Sequence, residues 1–342
     1  MNDPAFLPAT DLLAALRAKR ISSRELLEHY LERIDLHNRR LNAVLTLDAD
    51  RARTEADAAD RALARGEELG PLHGLPMTVK DAFETAGLRT TAGAPALAEH
   101  VPERDAEVVK RLRAAGAVIF GKTNVPALGA DGQFYNPLFG STNNPWDTAR
   151  TTGGSSGGSA GALAGGLTAL EVGGDIAGSI RRPAHYTGVF GLKPSYGLVP
   201  SRGHIPGAPG IAPDADMNAI GPMARGVDDL ELALETIAGP DDPQAVAWSL
   251  ELPPPRASWL GGYRVAVWLD DPFCPVDREV LSVLRSAVDA LADAGVEVVE
   301  RPGAVSLSDA TRVHQELLMG VSCSGVVDGA FAALKQLASS TP

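Results

Sequence analysis

The chain has 342 residues, of which 44% are hydrophobic, 22% charged and 5% aromatic. A chain of that size and mix can bury a sizeable α/β core without cross-links. Its formal net charge of −12 argues against a nucleic-acid surface, which needs a basic stripe, and fits an acidic coat that keeps the protein dissolved.

Cys274 and Cys323 form no ligand pair or redox motif, so they are expected to be buried small hydrophobes in a reducing compartment. The opening MNDPAFLPATDLL has neither the basic nor the apolar region of a secretory leader. The uncharged run 151–170 is long enough to span a bilayer, but its Gly, Ser and Thr content excludes that reading. A cytoplasmic location is expected.

In chain order, residues 10–36 predict two helices, with Thr10 and Ser22 or Ser23 as caps ahead of i, i+3, i+4 apolar patterns. RARTEADAADRALARGEELG predicts a third helix, stopping near Gly66 or Gly70. GLPMTVKDAF (74–83) turns strand-like. DAEVVKRLRAAGAVIFGKTNVP gives a helix, a glycine stop and a short strand. GALAGGLTALEVGGD gives a small-residue helix and a second strand, and GVDDLELALETIAGP is again helical. The Pro-rich stretch 239–256 reads as a long surface loop, with a domain linker as the alternative. YRVAVWL is a strand, REVLSVLRSAVDALADAGVEVVE is a helix leading into another strand, and His314 falls on a last helix. This alternation predicts an α/β layer architecture.

Two motif matches fail on local structure. GAVIFGKT, Gly116 to Thr123, fits the phosphate-loop pattern by letter, but Ala117 to Phe120 read as a strand where a flexible loop is required. Lys122 is then a structural or surface lysine at a strand end. Gly153, Ser155 and Gly157 fit the nucleophile-elbow pattern, yet no apolar strand leads into the serine. His185, His204 and His314 show no triad ordering and read as surface or satisfied structural histidines.

Three segments make chemical sense together. Lys80 ends the run PMTVK and would be carried inward, where an isolated ammonium is costly unless it loses its proton. A neutral amine of that kind is a general base. Read alone, Lys80 could equally reach solvent or pair with Asp81. Ser155 and Ser156 sit between glycine pairs. In GGDIAGSIRRP, small residues around Ser179 let several amides face one point, as an oxyanion requires.

Together these segments resemble the amidase signature family. The resemblance is carried by GGSSGGSAGALAGG, GGDIAGSIRRPA and GVFGLKPSYGLVP, with GLPMTVKD and KTNVPALG upstream and GPMARGVDDLELAL downstream, over roughly residues 10 to 300. It implies a central mixed, largely parallel sheet covered by helices on both faces. It also implies a single domain over 1–342, shorter at its C-terminal end than relatives usually are, with a helical segment at 10–70 and a catalytic core at 74–230. Carried over, Ser179 is the nucleophile, Ser155 the bridging residue held through a cis peptide, and Lys80 the terminal base. The amides of Ile176, Ala177, Gly178 and Ser179 form the oxyanion hole, Asp175 and Arg181 support the loop, and Gly129 faces substrate.

Ala177 stands where relatives commonly have Gly, and Arg182 where an apolar residue is common. The implied activity is hydrolysis of a small-molecule carboxamide or ester, with no cofactor or metal, no nucleic acid and no membrane; a homodimer is left open. The alternatives are a glutamine-amidotransferase-type subunit of a larger complex and an inactive remnant serving as an interaction subunit.

Overall fold

A computed structural model describes residues 3–67, 69–205, 216–242, 244–300 and 305–323. Helix α1 (Ala9–Arg17) and helix α2 (Ser23–Leu41) lead into strand β1 (Val44–Leu47) and helix α3 (Ala49–Arg65). Strand β2 (Pro76–Lys80), helix α4 (Glu107–Ala114) and strand β3 (Val118–Thr123) follow. Next come helix α5 (Gly157–Ala164), strand β4 (Glu171–Asp175), helix α6 (Arg181–Thr187), strand β5 (Phe190–Gly191), strand β6 (Ala219–Ala224) and helix α7 (Val227–Ile237). Strand β7 (Arg264–Val267), helix α8 (Arg278–Asp293), strand β8 (Glu297–Glu300) and helix α9 (Leu307–Cys323) complete the order.

The chain divides into two compact units, Met1–Leu250 and Glu251–Pro342. The division falls inside the Pro-rich stretch 239–256, whose described residues form neither helix nor strand. In the first unit β3 pairs antiparallel with β1 and parallel with β2, while β6 pairs antiparallel with β4 and β5. In the second unit β7 and β8 are parallel, with α8 between them in sequence. The mixed α/β architecture is as expected, with parallel pairing among the described residues confined to β2–β3 and β7–β8.

The local signals explain the helix ends. Ser22 caps α2, taking the Glu25 amide at 3.1 Å, while the Glu25 carboxylate accepts the Ser22 amide at 2.8 Å. Such a reciprocal pair satisfies two otherwise orphaned donors. Gly66 ends α3 in the left-handed region at φ 72°, where a Cβ would be strained. Thr10 is a correction: it lies inside α1, and its amide and hydroxyl donate to Asp229 on α7 at 2.8 and 2.9 Å. The apolar faces of α1 and α2 meet the strands in one core that includes Leu12, Leu27, Met77 and Phe120, each fully buried. Tyr30 of α2 stacks on Phe120 of β3 at 6.2 Å between centroids.

One further reading is corrected. Cys274 is exposed, sitting in a turn of the second unit; the Cys323 side chain lies outside the described residues. No helix among the described residues is long and apolar enough to cross a membrane.

Candidate active site

All five residues of β2 are buried, so Lys80 at its C-terminal end is carried into the interior with 1% of its surface exposed. Its Nζ lies 2.8 Å from Ser155 Oγ and 3.0 Å from Ser156 Oγ. Burial pulls the amine down from its ordinary 10.5 to about 7, against the opposing pull of the Asp175 and Glu171 carboxylates. Asp81 does not partner it: its Oδ2 accepts the amide and hydroxyl of Thr91 at 3.1 and 2.5 Å. A neutral amine keeps two N–H groups and one lone pair. One N–H can go to Ser156 while the lone pair takes the Ser155 hydroxyl hydrogen.

The serine pair is positioned by α5. The Gly154–Ser155 peptide is cis, and Ser156 is the residue preceding the first helical turn. The positive end of α5 therefore adjoins Nζ and further disfavours an ammonium there. The small-residue composition of α5 serves close approach: a Cβ at Gly158 would overlap the backbone of Asn124 just past β3. A Cβ at Gly173 would lie 2.7 Å from Ser156 Oγ, so β4 also needs a bare backbone where it faces the serines. The Ser156 amide donates to the Ser179 carbonyl at 3.1 Å, which joins the serine pair to the loop after β4. Ser179 itself is half-buried, and among the described residues its hydroxyl makes no hydrogen bond.

Fully buried Asp175 ends β4 and organises that loop. Its Oδ1 accepts the Gly178 amide at 2.7 Å and Arg181 Nη2 at 2.9 Å. Its Oδ2 accepts the Ile180 amide at 3.0 Å, the Arg181 amide at 3.3 Å and Arg181 Nε at 3.1 Å. Burial pushes this carboxyl up, but the Arg181 guanidinium and the loop amides outweigh it and hold it below the ordinary carboxylate range. One expectation changes here. The Gly178 amide is taken by Asp175 and does not point at a ligand, leaving the amides of Ile176, Ala177 and Ser179 without a hydrogen bond among the described residues. Gly129 is placed against Ser155, since a Cβ there would lie 3.3 Å from Ser155 Oγ.

Several residues near the site have no signal in the spacing of motifs. Ser156 touches both Lys80 and the Ser179 backbone, although the resemblance gives a role only to the first serine of the pair. Glu171, fully buried on β4, takes the Thr78 hydroxyl two residues before Lys80, and burial raises its carboxyl to about 7. His204 is half-buried: its Nδ1 lies 3.5 Å from Asn218 Nδ2, its Nε2 has no partner among the described residues, and burial lowers the imidazole to about 3, with the Lys80 charge adding to this. Lys122 is structural and fully buried, donating to the Phe83 carbonyl and to Thr85 Oγ1 and Thr90 Oγ1 at 2.8 and 3.0 Å.

A buried lysine joined to a serine that follows a cis peptide, beside a glycine-rich loop ending in a second serine, is the arrangement that the sequence resemblance implies. A family model described as Amidase matches residues 25–328. The chain belongs to the amidase signature family. It is 40% identical over 293 residues to the A-subunit of the glutamyl-tRNA(Gln) amidotransferase of Moorella thermoacetica, covering 85% of this chain and 59% of that protein. Among solved structures it resembles the peptide amidase of Stenotrophomonas maltophilia, with TM-score 0.75 and 36% identity, covering 87% of this chain and 63% of that one. It also resembles a bacterial aryl acylamidase, with TM-score 0.81 and 26% identity, covering 98% and 73%. The chain thus spans about three-fifths of the length of the curated relative it matches.

Proposed function

We propose that this chain hydrolyses a linear carboxamide through an acyl-enzyme on Ser179, with Ser155 and Lys80 as its proton relay. The observation that carries the reading is the contact of 2.8 Å between Ser155 Oγ and an amine that burial brings to about 7. A serine hydroxyl attacks poorly until a base takes its proton. The Ser179 proton passes to Ser155 Oγ as the Ser155 proton passes to Lys80 Nζ. The freed Ser179 oxygen forms a bond to the amide carbon, and the carbonyl π electrons move onto its oxygen. The free amides of Ile176, Ala177 and Ser179 are the donors for that oxyanion, each worth roughly a hundredfold or more in rate.

Collapse of the adduct breaks the carbon–nitrogen bond, and the proton stored on Lys80 returns through Ser155 to the leaving nitrogen. Water then attacks the ester, giving its proton to the same relay, which hands it back to Ser179. The test is a fluorophosphonate reaction followed by peptide mapping. Modification at Ser179, lost in Ser179→Ala and Lys80→Met, supports the reading; modification of another serine, or none, overturns it.

A second reading, a glutamine-hydrolysing subunit of a transamidase, is favoured by the 40% identity to the Moorella protein. Release of ammonia from free glutamine, compared with release from aliphatic and aryl amides, separates the two.

A further inference from the structure

Arg182 follows the supporting Arg181 on α6, and the family resemblance gives it no role. Its Nη2 donates to the Ala177 carbonyl at 3.0 Å. Among the described residues it has no carboxylate partner, because both oxygens of Asp175 are engaged by Arg181 and the loop amides. Space for the guanidinium is left by a missing side chain: a Cβ at Gly132 would collide with Arg182 Nη1. A Cβ at Gly153 would lie 3.4 Å from Arg182 Cγ, so the stem of the arginine also runs over bare backbone.

The Ala177 carbonyl and the Gly178 amide belong to one peptide unit. Arg182 holds its oxygen at 3.0 Å, and Asp175 holds its N–H at 2.7 Å. A peptide unit is planar, so fixing both ends removes its freedom to rotate between the two Cα atoms. The peptides on either side carry the Ala177 and Ser179 amides, two of the three that remain free. We infer that Arg182 and Asp175 form a two-ended clamp on the Ala177–Gly178 peptide, and that Arg182 is a positioning residue which presets the oxyanion donors. The catalytic half of this inference rests on the proposed Ser179 acyl-enzyme; the clamp itself does not.

The clamp explains why an arginine is useful here. An oxyanion hole accelerates reaction because its donors need no reorganisation as charge develops. A loop of Ile, Ala and Gly has no side-chain means of holding itself, and Gly178 sits at φ 102°, a conformation that its missing Cβ permits. The Asp175 carboxylate and the Arg182 guanidinium supply the restraint.

The experiment compares wild type with Arg182→Ala, Arg182→Lys and Gly132→Ala. The last keeps the arginine and pushes its guanidinium away. Two readouts are used: amide hydrogen exchange at Gly178, and the second-order rate of fluorophosphonate reaction at Ser179, with the thermal melt as a check on folding. Arg182→Ala and Gly132→Ala are each expected to speed Gly178 exchange about tenfold or more and to slow Ser179 modification about tenfold to a hundredfold. Arg182→Lys should recover part of both, and KM for an amide substrate should stay within about twofold because the clamp acts on the transition state. Unchanged Gly178 exchange in Arg182→Ala overturns the clamp. Faster exchange with unchanged Ser179 modification overturns the positioning role, as does a rise in KM with kcat preserved, which would make Arg182 a reader of substrate. If wild type is not modified at Ser179 at all, the acyl-enzyme reading fails by itself and Gly178 exchange decides the clamp.

Discussion

The amine of Lys80 makes a prediction about stability that runs opposite to its effect on rate. Its ordinary value is 10.5 and burial takes it to about 7 in the fold. Each tenfold loss of proton affinity costs about 1.4 kcal/mol, so at about pH 7, where the folded amine is half protonated, the folded state carries a penalty of about 4 kcal/mol for this side chain. The sign follows from proton counting. Between the two values the unfolded chain binds the proton and the folded chain does not, so the penalty shrinks as pH rises and vanishes near the unfolded value. At about pH 9.5 only about 1.4 kcal/mol remains.

Lys80→Met removes this dependence along with the hydrogen bonds to Ser155 and Ser156, whose loss costs about 1 kcal/mol each at any pH. The difference in stability between Lys80→Met and wild type should therefore be more favourable to the variant at about pH 7 than at about pH 9.5, by about 3 kcal/mol. For a protein of this size that is about 4 °C in the change of the Tm difference. The assay is thermal unfolding of both proteins at the two pH values. The hydrogen-bond losses cancel in the double difference. A Tm difference that does not move with pH would show that the lysine keeps an ordinary affinity for its proton, and the relay would lose its base.

The same amine sets the rate profile: kcat/KM for an amide should climb tenfold per pH unit on the acid side and level off near pH 7. A limb that continues toward pH 10 would exclude a depressed lysine. Gly173→Ala places a Cβ 2.7 Å from Ser156 Oγ and should cost about 1–3 kcal/mol by overpacking, with a matching loss of activity. An unchanged melt and rate would mean that the serine pair tolerates displacement. Asp175→Asn keeps the shape of the loop anchor but removes the charge that Arg181 faces, and should lower stability by about 1–3 kcal/mol. No loss in a urea titration would refute the anchoring role of the carboxylate.

How much of this was legible in the sequence depends on whether the signal was local. Ser22 or Ser23 ahead of an apolar pattern announces a helix start, and α2 begins there with Ser22 as its cap. Lys80 after Pro76, Met77, Thr78 and Val79 announces a buried strand end, which β2 supplies. The contact of Lys80 with Ser155 came from motif resemblance, because nothing in a span of 75 residues encodes a distance of 2.8 Å. Thr10 misled because a threonine ahead of an apolar pattern looks like a cap until Asp229, far along the chain, claims its hydroxyl. His204 was illegible for a related reason: it packs on Phe83, far away in sequence, whose ring lies 4.9 Å from it across an isolated bridge. The tether of Gly178 to Asp175 was hidden too, since an amide's direction depends on ψ of the preceding residue and not on residue type.

The bare backbone at Gly129, Gly132, Gly158 and Gly173 divides the molecule's freedom to change. At Gly158 an added Cβ would overlap the Asn124 backbone, and at Gly173 one would lie 2.7 Å from Ser156 Oγ, so this part of the site is closed to gradual variation. Leu128 and Tyr135, close in sequence to Gly129 and Gly132, stand exposed. New selectivity in this scaffold would therefore arise by turnover of the border while the interior stays constant.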